Sequence, residues 1–219
     1  MILAILQARV SSSRLPGKVL KPILGEPMLQ RQLERLANSK LIDKLVVATS
    51  EQTSDDALEE LCHRLGKEFF RGDLDNVLDR FYKCAQKYHP DVIVRLTGDC
   101  PLIDPLIKEA ELPSELEHVT PYIYNNEQLF RIGIFKNDVD LSHLRWTVDE
   151  KDDFDFVTLV YEELYPTKPN FTTADVLELC ERMPSIKYIN NCIKRNTGSK
   201  GVLNKNKGPL QGRKPSHVR

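Results

Sequence analysis

Short apolar runs alternate with amphipathic stretches along the first half of the chain. The apolar runs are typical of strands buried on both faces, and apolar residues spaced three or four positions apart predict helices. The predicted strands are MILAIL at 1–6, KLVVATS at 44–50, KEFFRG at 67–72 and DVIVRLTGD at 91–99. The predicted helices lie at 28–37, 55–66 and 76–88. This β-α-β-α-β order indicates an α/β fold with a mostly parallel sheet covered by helices.

The second of these helices carries signals at both ends. Ser54 precedes it, and Asp55 and Asp56 place negative charge in the first turn, which the helix dipole favours. Gly66 marks its end, because glycine readily adopts the left-handed conformation that terminates helices. We therefore expect Asp55 to lie in the first helical turn.

The second half of the chain follows a different pattern. HVTPYIYNNEQLFRIGIF at 118–135 contains strand-forming residues interrupted by Pro121 and an Asn-Asn pair, which predicts an antiparallel excursion. Helical patterns return at 152–165 and 174–183. From Asn196 onward Gly, Lys, Asn and Pro predominate, so we expect no regular structure there.

The composition argues against several classes of protein. The 219 residues can bury a substantial core. No apolar run reaches the roughly 18 residues of a membrane span, and no signal-peptide pattern is present, so we expect a cytoplasmic location and no membrane partner. The 5 cysteines form no CxxC pair and lack zinc-ligand spacing, which favours reduced thiols.

Charge is distributed unevenly along the chain, although the net charge is only -1. Glu181 is the last acidic residue, so the end of the chain is basic. Because no aromatic residue follows Tyr188, base stacking has no platform there, and we expect no nucleic-acid partner. We expect one domain over residues 1–195 and a basic, flexible tail over 196–219.

Two polar segments follow predicted strands, where ligands bind in open α/β sheets. One is the opening loop LQARVSSSRLPGKVL at 6–20, and the other is RLTGDCPLIDP at 95–105. A parallel sheet would bring both to one edge, with Arg9, Arg14 and Lys18 facing Asp99. Cationic groups and backbone N–H groups bind phosphates, and a carboxylate can bind a divalent metal that bridges them.

The opening loop matches neither of the common phosphate-binding patterns. Gly17-Lys18 is followed by Val19 and lacks the preceding glycine of GxxxxGK[ST], and the loop is not a dinucleotide fingerprint either. On the charge cluster alone, a solvated surface turn and a phosphate site remain equally open.

Five motifs in order resemble the cytidylyltransferases that activate acidic sugars, such as CMP-KDO and CMP-sialic acid synthetases. The similarity is greatest to the SpsF-like branch of spore-coat polysaccharide biosynthesis. The motifs are A-R-x-x-S-x-R-L-P-G-K at 8–18, FRGDLDNVLDR at 70–80, VRLTGDCPLIDP at 94–105, HVTPYIY at 118–124 and LRWTVDEKDDF at 144–154. They span about three quarters of the chain, and together they are highly specific.

The resemblance implies a three-layer, glycosyltransferase-A-like (nucleotide-diphospho-sugar transferase) fold and a Mg²⁺-dependent enzyme. It would transfer CMP from CTP to an acidic sugar acceptor, with release of pyrophosphate, and it is similar to proteins that form homodimers. Little covalent work falls to the protein in such chemistry, which depends on positioning and on offsetting phosphoryl charge.

The resemblance also assigns candidate roles to individual residues. Lys18, Arg9 and Asp99 are the implied catalytic residues, and Asp99 and Asp149 are the implied Mg²⁺ ligands. The implied substrate-binding residues are His118 and Arg145. The implied nucleotide-binding residues are Leu6, Gln7, Ala8, Arg9, Ser13, Arg14, Lys18, Asp79, Arg80, Thr97 and Gly98.

Several of these residues have a purely structural alternative. Asp149 could cap the helix at 152–165, and Asp99 could cap the turn before a proline. Asp79 and Arg80 could form a surface pair on their helix. Arg145 could stack beside Trp146, and His118 could be structural.

One segment departs from the family pattern. A longer stretch, which helps to form the acceptor pocket, normally separates GDCPLIDP from HVTPYIY, but here only Leu106 to Glu117 lies between them. Either the stretch is truly absent, or residues are missing from the numbering. A helix that starts at LIKEA and stops at once favours the second explanation. True absence would compromise acceptor binding.

Other functions remain open at this point. They are a nucleotidyltransferase with another base or acceptor, a nucleotide-sugar-dependent glycosyltransferase, and a non-catalytic nucleotide-binding protein. The glycosyltransferase would need a metal-binding D-x-D pair, for which Asp138 to Asp140 is a candidate.

Overall fold

The computed structural model describes residues 1–104, 139–191 and 193. In chain order the strands are β1 (Ile2–Gln7), β2 (Pro22–Ile23), β3 (Glu26–Pro27), β4 (Lys44–Ser50), β5 (Glu68–Gly72) and β6 (Val92–Thr97). The helices are α1 (Met28–Leu36), α2 (Asp56–Arg64), α3 (Val77–Tyr88), α4 (Lys151–Leu164) and α5 (Thr173–Arg182). All of the longer elements coincide with predicted ones to within a few residues.

Four strands form one parallel sheet in the order β5-β4-β1-β6. Since the strands are parallel, their carboxyl ends lie along one edge. The first strand is central, and its neighbour β6 pairs with it from Ile2 with Val92 to Gln7 with Thr97. The loop after β1 and the turn after β6 therefore lie on the same edge, as the sequence predicted, and the pairing of the two strands makes them direct neighbours.

Helices cover both faces of this sheet. Leu3 and Ile5 of β1 pack on Phe81 and Cys84 of α3. The opposite face carries the larger core cluster, in which Leu6 joins apolar residues of α1, α2, α4 and α5. The alternation of strand side chains between two apolar cores confirms the three-layer α/β architecture.

A small hairpin that the sequence pattern did not predict precedes α1. Pro22–Ile23 pairs antiparallel with Glu26–Pro27. Leu24 and Gly25 both have positive φ, at 49° and 81°, which is the backbone that a two-residue hairpin turn requires. The helix α1 begins at Met28, directly after this hairpin.

Several predictions lie outside the described residues, namely the excursion at 118–135, His118 and the tail at 196–219. Within the described ranges, no helix is long and apolar enough to cross a membrane.

Candidate active site

The ends of β1 and β6 approach each other closely at a glycine. The Gly98 N–H donates to the carbonyl of Gln7 at 2.7 Å. A Cβ at this position would lie 3.1 Å from both the Ala8 Cβ and the Gln7 carbonyl oxygen. A side chain here would crowd both neighbours by a few tenths of an ångström, so glycine favours this close approach of the two strand ends.

A third segment joins this edge through the backbone. The Val148 N–H donates to the Asp99 carbonyl at 2.8 Å, which brings Asp149 to the turn after β6. Lys18, from the opening loop, reaches both carboxylates: its Nζ lies 3.5 Å from Asp99 Oδ2 and 3.1 Å from Asp149 Oδ1. It also donates to the Val148 carbonyl at 2.5 Å. Three residues separated by up to 131 positions therefore converge on one point.

The remaining cations of the opening loop surround this point. Arg14 forms an ion pair of 2.7 Å with Asp149 and a longer one of 3.9 Å with Glu150. The Arg14 side chain is 38% exposed, against 11% for Lys18, so Arg14 can move towards a ligand more easily. Arg9 and Ser13 are exposed on the same loop. Together these groups form an open, cationic rim.

Asp149 is not the cap of the following helix. Glu150 is the N-cap of α4, and Asp153 at the third helical position completes a capping box with it. The structural alternative for Asp149 is therefore wrong. Its carboxylate contacts only cations among the interactions described, namely Arg14, Lys18 and Arg145.

Arg145 lies beside this site but is strongly engaged. Its Nε and one terminal nitrogen donate to the two oxygens of Asp153, at 2.6 and 2.8 Å. Burial alone would raise the pKa of Asp153, but Arg145 and two backbone N–H groups hold it below its usual value. The predicted substrate contact of Arg145 stays a prediction, and an ion pair replaces the alternative of simple stacking on Trp146.

The opening loop is anchored by Asp55, for which the sequence pattern predicted no such role. Asp55 accepts hydrogen bonds from the Val10 N–H at 2.8 Å and from the hydroxyl groups of Thr49 and Ser50. It lies in a 3-10 turn before α2 and is fully buried, so its assignment to the first turn of the helix is wrong. Its pKa would be raised by burial, but these hydrogen bonds lower it.

Arg80 is a buried cation with too few partners. It is 0% exposed, so the alternative of a surface pair is wrong for this residue. One terminal nitrogen donates to the Asp73 carbonyl at 2.6 Å, while Nε and the other terminal nitrogen have no partner. Burial, and then the charge of Arg9, lower its pKa. A buried guanidinium with unused donors is the kind of group that an anionic ligand completes.

The other predicted nucleotide contacts are buried or already paired with protein groups. Asp79 pairs with Lys83 at 2.8 Å on α3, rather than with Arg80 as its structural alternative stated. The Thr97 carbonyl accepts from Gln32 at 2.8 Å. Leu6 is 0% exposed and offers no surface to a ligand, because its side chain fills the core. Ala8 is buried as well, at 3% exposed, so Gln7 is the partly exposed residue of this strand end.

The donor chemistry fits a hard divalent cation. Cys100 adjoins Asp99, but burial raises the pKa of its thiol to about 12, so it stays protonated and is a poor ligand. No set of three or more His, Cys, Asp or Glu residues in the described ranges is arranged to hold a metal. Two carboxylates with room for phosphate oxygens and water are what Mg²⁺ commonly uses.

The alternative D-x-D pair has no comparable setting. Asp140 is exposed and accepts from the Ser142 N–H at 2.9 Å, which makes it a turn residue. Asp138 lies outside the described residues.

Comparison with known proteins decides the family. The cytidylyltransferase family model matches residues 3–112. The chain belongs to the cytidylyltransferase family. It is 30% identical to the spore coat polysaccharide biosynthesis protein SpsF of Bacillus subtilis, over 84% of this chain and 95% of that protein. It is 37% identical to 3-deoxy-manno-octulosonate cytidylyltransferase of Geobacter metallireducens, over 51% of this chain and 44% of that enzyme.

A solved structure supports the same assignment. A cytidylyltransferase from Leptospira borgpetersenii has a TM-score of 0.76 and 30% identity, over 88% of this chain and 98% of that one. The protein is accordingly a nucleotidyltransferase with the fold of the nucleotide-diphospho-sugar transferases.

The chain is shorter than SpsF within the region that aligns. The alignment runs over 229 positions although it includes only 84% of this chain. The short segment at 106–117 lies outside the described residues, so its expected cause stays a prediction.

Proposed function

We propose that this cytidylyltransferase transfers CMP from CTP to an acidic sugar in a Mg²⁺-dependent reaction that releases pyrophosphate. The observation that carries the proposal is the position of the Lys18 ammonium between the carboxylates of Asp99 and Asp149, at 3.5 and 3.1 Å. Such a set of one mobile cation and two carboxylates suits a metal–triphosphate complex. The names of the similar SpsF and 3-deoxy-manno-octulosonate enzymes support a role in surface polysaccharide synthesis.

The opening loop would bind the triphosphate. Arg9 and Arg14 are exposed and can present forked guanidinium groups to phosphate oxygens, while Lys18 contributes a point charge. Ser13 and the backbone N–H groups of the loop would add neutral donors. The buried Asp55 keeps this loop against the sheet, so the cations need not pay a large ordering cost when the nucleotide binds.

The metal would lie between Asp99 and Asp149 when the nucleotide is bound. It would supply positive charge that offsets the charge on the phosphoryl oxygens of CTP. Lys18 pairs with both carboxylates and Arg14 pairs with Asp149, so both cations would transfer to phosphate oxygens when the nucleotide binds. The acceptor hydroxyl would then displace pyrophosphate from the α-phosphorus, in line with the leaving oxygen.

The base and ribose would lie over the ends of β1 and β6. Gln7 and Thr97 are partly exposed there and would contact the nucleotide, while Ala8 and Gly98 are buried and would contribute through the backbone. Arg80 is as buried as Leu6, so its unused guanidinium donors would reach an oxygen of the nucleotide only after the groups that cover them move aside. Asp79, which pairs with Lys83, and the buried Leu6 are weaker candidates for direct contact.

The acceptor, location and assembly follow from the family resemblance. We propose His118 and Arg145 as acceptor contacts, a cytoplasmic location and a homodimer, with neither a membrane nor a nucleic acid as partner. A second candidate is a protein that binds CTP but transfers its CMP poorly. It would follow if the short segment at 106–117 removes part of the acceptor pocket that the resemblance implies.

The deciding experiment measures pyrophosphate release with each of the four nucleoside triphosphates, Mg²⁺ and a panel of acidic sugars. Release with CTP that requires an acceptor supports transfer. Binding of CTP without release, for any acceptor, supports the second candidate. Release with another triphosphate and none with CTP would contradict the proposed base preference.

A metal-site variant adds a residue-level test. Asp99→Asn keeps the size of the side chain but removes the charge that would hold Mg²⁺, so turnover should fall by at least about 100-fold. Asp152→Asn, at an exposed position in the first turn of α4, is the matched control and should retain activity. Unchanged turnover in Asp99→Asn would remove this residue from the metal site.

A further inference from the structure

Asp153 is a buried carboxylate that the proposed reaction does not use directly. Its side chain is only 1% exposed, and it lies one helical turn beyond Asp149. Five hydrogen bonds converge on its two oxygens, from two backbone N–H groups, from Arg145 twice and from Asn190. A carboxylate in the first turn of a helix needs far fewer partners than this to serve as a cap.

Two of these bonds fix the backbone of the proposed metal ligand. Asp153 Oδ2 accepts from the Asp149 N–H at 3.0 Å and from the Glu150 N–H at 2.9 Å. The peptide groups on either side of the Asp149 carboxylate are thereby held relative to α4. Rotation of this segment would break both bonds in a buried environment, where unpaired polar groups are costly.

The third partner, Arg145, connects the same carboxylate to the side chain of Asp149. Its guanidinium binds Asp153 at 2.6 and 2.8 Å, and one nitrogen also lies 3.6 Å from Asp149 Oδ2. Arg145 therefore faces Asp149 from the side opposite Oδ1, which Arg14 and Lys18 contact. When those two cations move to phosphates, Arg145 remains.

Asn190 closes this network from a different part of the chain. It follows the 3-10 helix at Pro184–Tyr188 and is 5% exposed. Its amide Nδ2 donates to Asp153 Oδ1 at 3.1 Å and to the Arg145 carbonyl at 2.8 Å. One amide group thus holds both members of the ion pair behind Asp149.

The geometry points to Asp153 and Asn190 as positioning residues that hold Asp149 in place as a metal ligand, with Arg145 as the link between them. The inference rests on the proposed function, because it assigns a metal to Asp149. Groups behind a metal ligand commonly change metal affinity or activity by about 10- to 100-fold when they are removed. Neither residue would touch the nucleotide or the acceptor.

The test measures Mn²⁺ binding by electron paramagnetic resonance in the presence of saturating CTP and no acceptor. Asn190→Ala removes both bridging bonds and should weaken Mn²⁺ binding about 10-fold. Asp153→Asn removes the charge opposite Arg145 and should weaken it by up to about 100-fold. CTP affinity measured without metal should change less than threefold in either variant, since the opening loop is untouched.

Asn191→Ala is the matched control, because Asn191 is the adjacent residue of the same type and is exposed. It should bind Mn²⁺ as the wild type does. A loss of folding alone would reduce the number of sites without changing the affinity of the rest, so the dissociation constant separates positioning from stability. If Asp153→Asn fails to fold, Asn190→Ala still decides the question.

The outcomes separate the two proposals. Wild-type protein that binds Mn²⁺ with CTP, together with unchanged affinity in Asn190→Ala, would overturn the positioning role and leave the proposed function intact. Wild-type protein that binds no Mn²⁺ with CTP would overturn the proposed function and the positioning role with it. Weakened Mn²⁺ binding in Asn190→Ala but not in Asn191→Ala would support both.

Discussion

Lys18 should oppose metal binding in the nucleotide-free protein, although it favours nucleotide binding. Its ammonium lies 3.1 Å from Asp149 Oδ1 and 3.5 Å from Asp99 Oδ2, in the position that a bridging cation would take. With 11% of the side chain exposed, this ammonium is largely shielded from water. We therefore expect Lys18→Met to bind Mn²⁺ alone more tightly than the wild type does, and CTP alone more weakly.

The size of the effect follows from the distances. Two unit charges about 4 Å apart interact by about 1 kcal/mol in bulk water and about 4 kcal/mol near a protein surface. The figure for bulk water applies if Lys18 moves into solvent when the metal binds. Removing the Lys18 charge should then strengthen Mn²⁺ binding by about 1 to 2 kcal/mol, which is about 5- to 30-fold in affinity. Loss of a charged hydrogen bond to phosphate should weaken CTP binding by about 1.5 to 3 kcal/mol, or about 10- to 100-fold.

The assay is a Mn²⁺ titration by electron paramagnetic resonance without nucleotide, paired with calorimetric CTP binding without metal. Lys21→Met serves as the charge-matched control, because Lys21 lies three positions away and its ammonium faces the Phe154 ring at 5.8 Å rather than Asp99 or Asp149. Its two affinities should stay within about twofold of the wild type. If Lys18→Met binds Mn²⁺ no more tightly than the wild type, the two carboxylates are not shared between lysine and metal, and the reasoning fails.

Three further predictions test the surroundings of the site. Arg80→Met removes a buried charge that has too few hydrogen-bond partners. The free energy of unfolding from urea titration should therefore rise, or fall by no more than about 1 kcal/mol, while CTP affinity should fall at least about 10-fold. A large loss of stability with normal CTP binding would instead make Arg80 a structural residue. The pKa of Asp55 is lowered in the folded protein, so it contributes stability above its usual pKa of 3.8 that is lost as the pH falls through the lowered value. The free energy of unfolding of Asp55→Asn should thus change less between about pH 7 and pH 3 than that of the wild type, and equal pH dependence would refute the assignment. Gly98→Ala places a Cβ 3.1 Å from the Cβ of Ala8. It should lower the free energy of unfolding from urea titration by about 1 to 3 kcal/mol and weaken CTP binding. Wild-type values for both would show that the strand ends can separate freely.

The regular elements could be predicted because hydrophobic periodicity reports burial directly. Strand β1 is apolar throughout since both of its faces are covered, and α3 repeats its apolar residues because one face packs on the sheet. The meeting of Lys18 with Asp99 also followed from the sequence, because parallel strands place both loops at one edge. Asp149 required the family resemblance, since its partner contact spans 131 positions.

The supporting residues could not be found from the pattern. Asp55 resembles an ordinary charge at a helix start, and only the fold shows that the Val10 N–H binds it. Asp153 looks like one of several acidic residues in a first helical turn, and its bond to Asn190 joins positions 37 apart. Arg80 lies in a polar stretch that is typical of a solvated helix face, yet it is completely buried. Such roles depend on tertiary contacts that local periodicity does not encode.

The most direct test of the account is a crystal structure of the protein with CTP and Mn²⁺, with data collected at a wavelength where Mn²⁺ scatters anomalously. We expect an anomalous peak within metal-ligand distance of both Asp99 and Asp149, with the Lys18 ammonium moved from those carboxylates to a phosphate of CTP. A triphosphate bound away from the opening loop, or a metal that contacts neither carboxylate while Lys18 stays between them, would contradict the central claim.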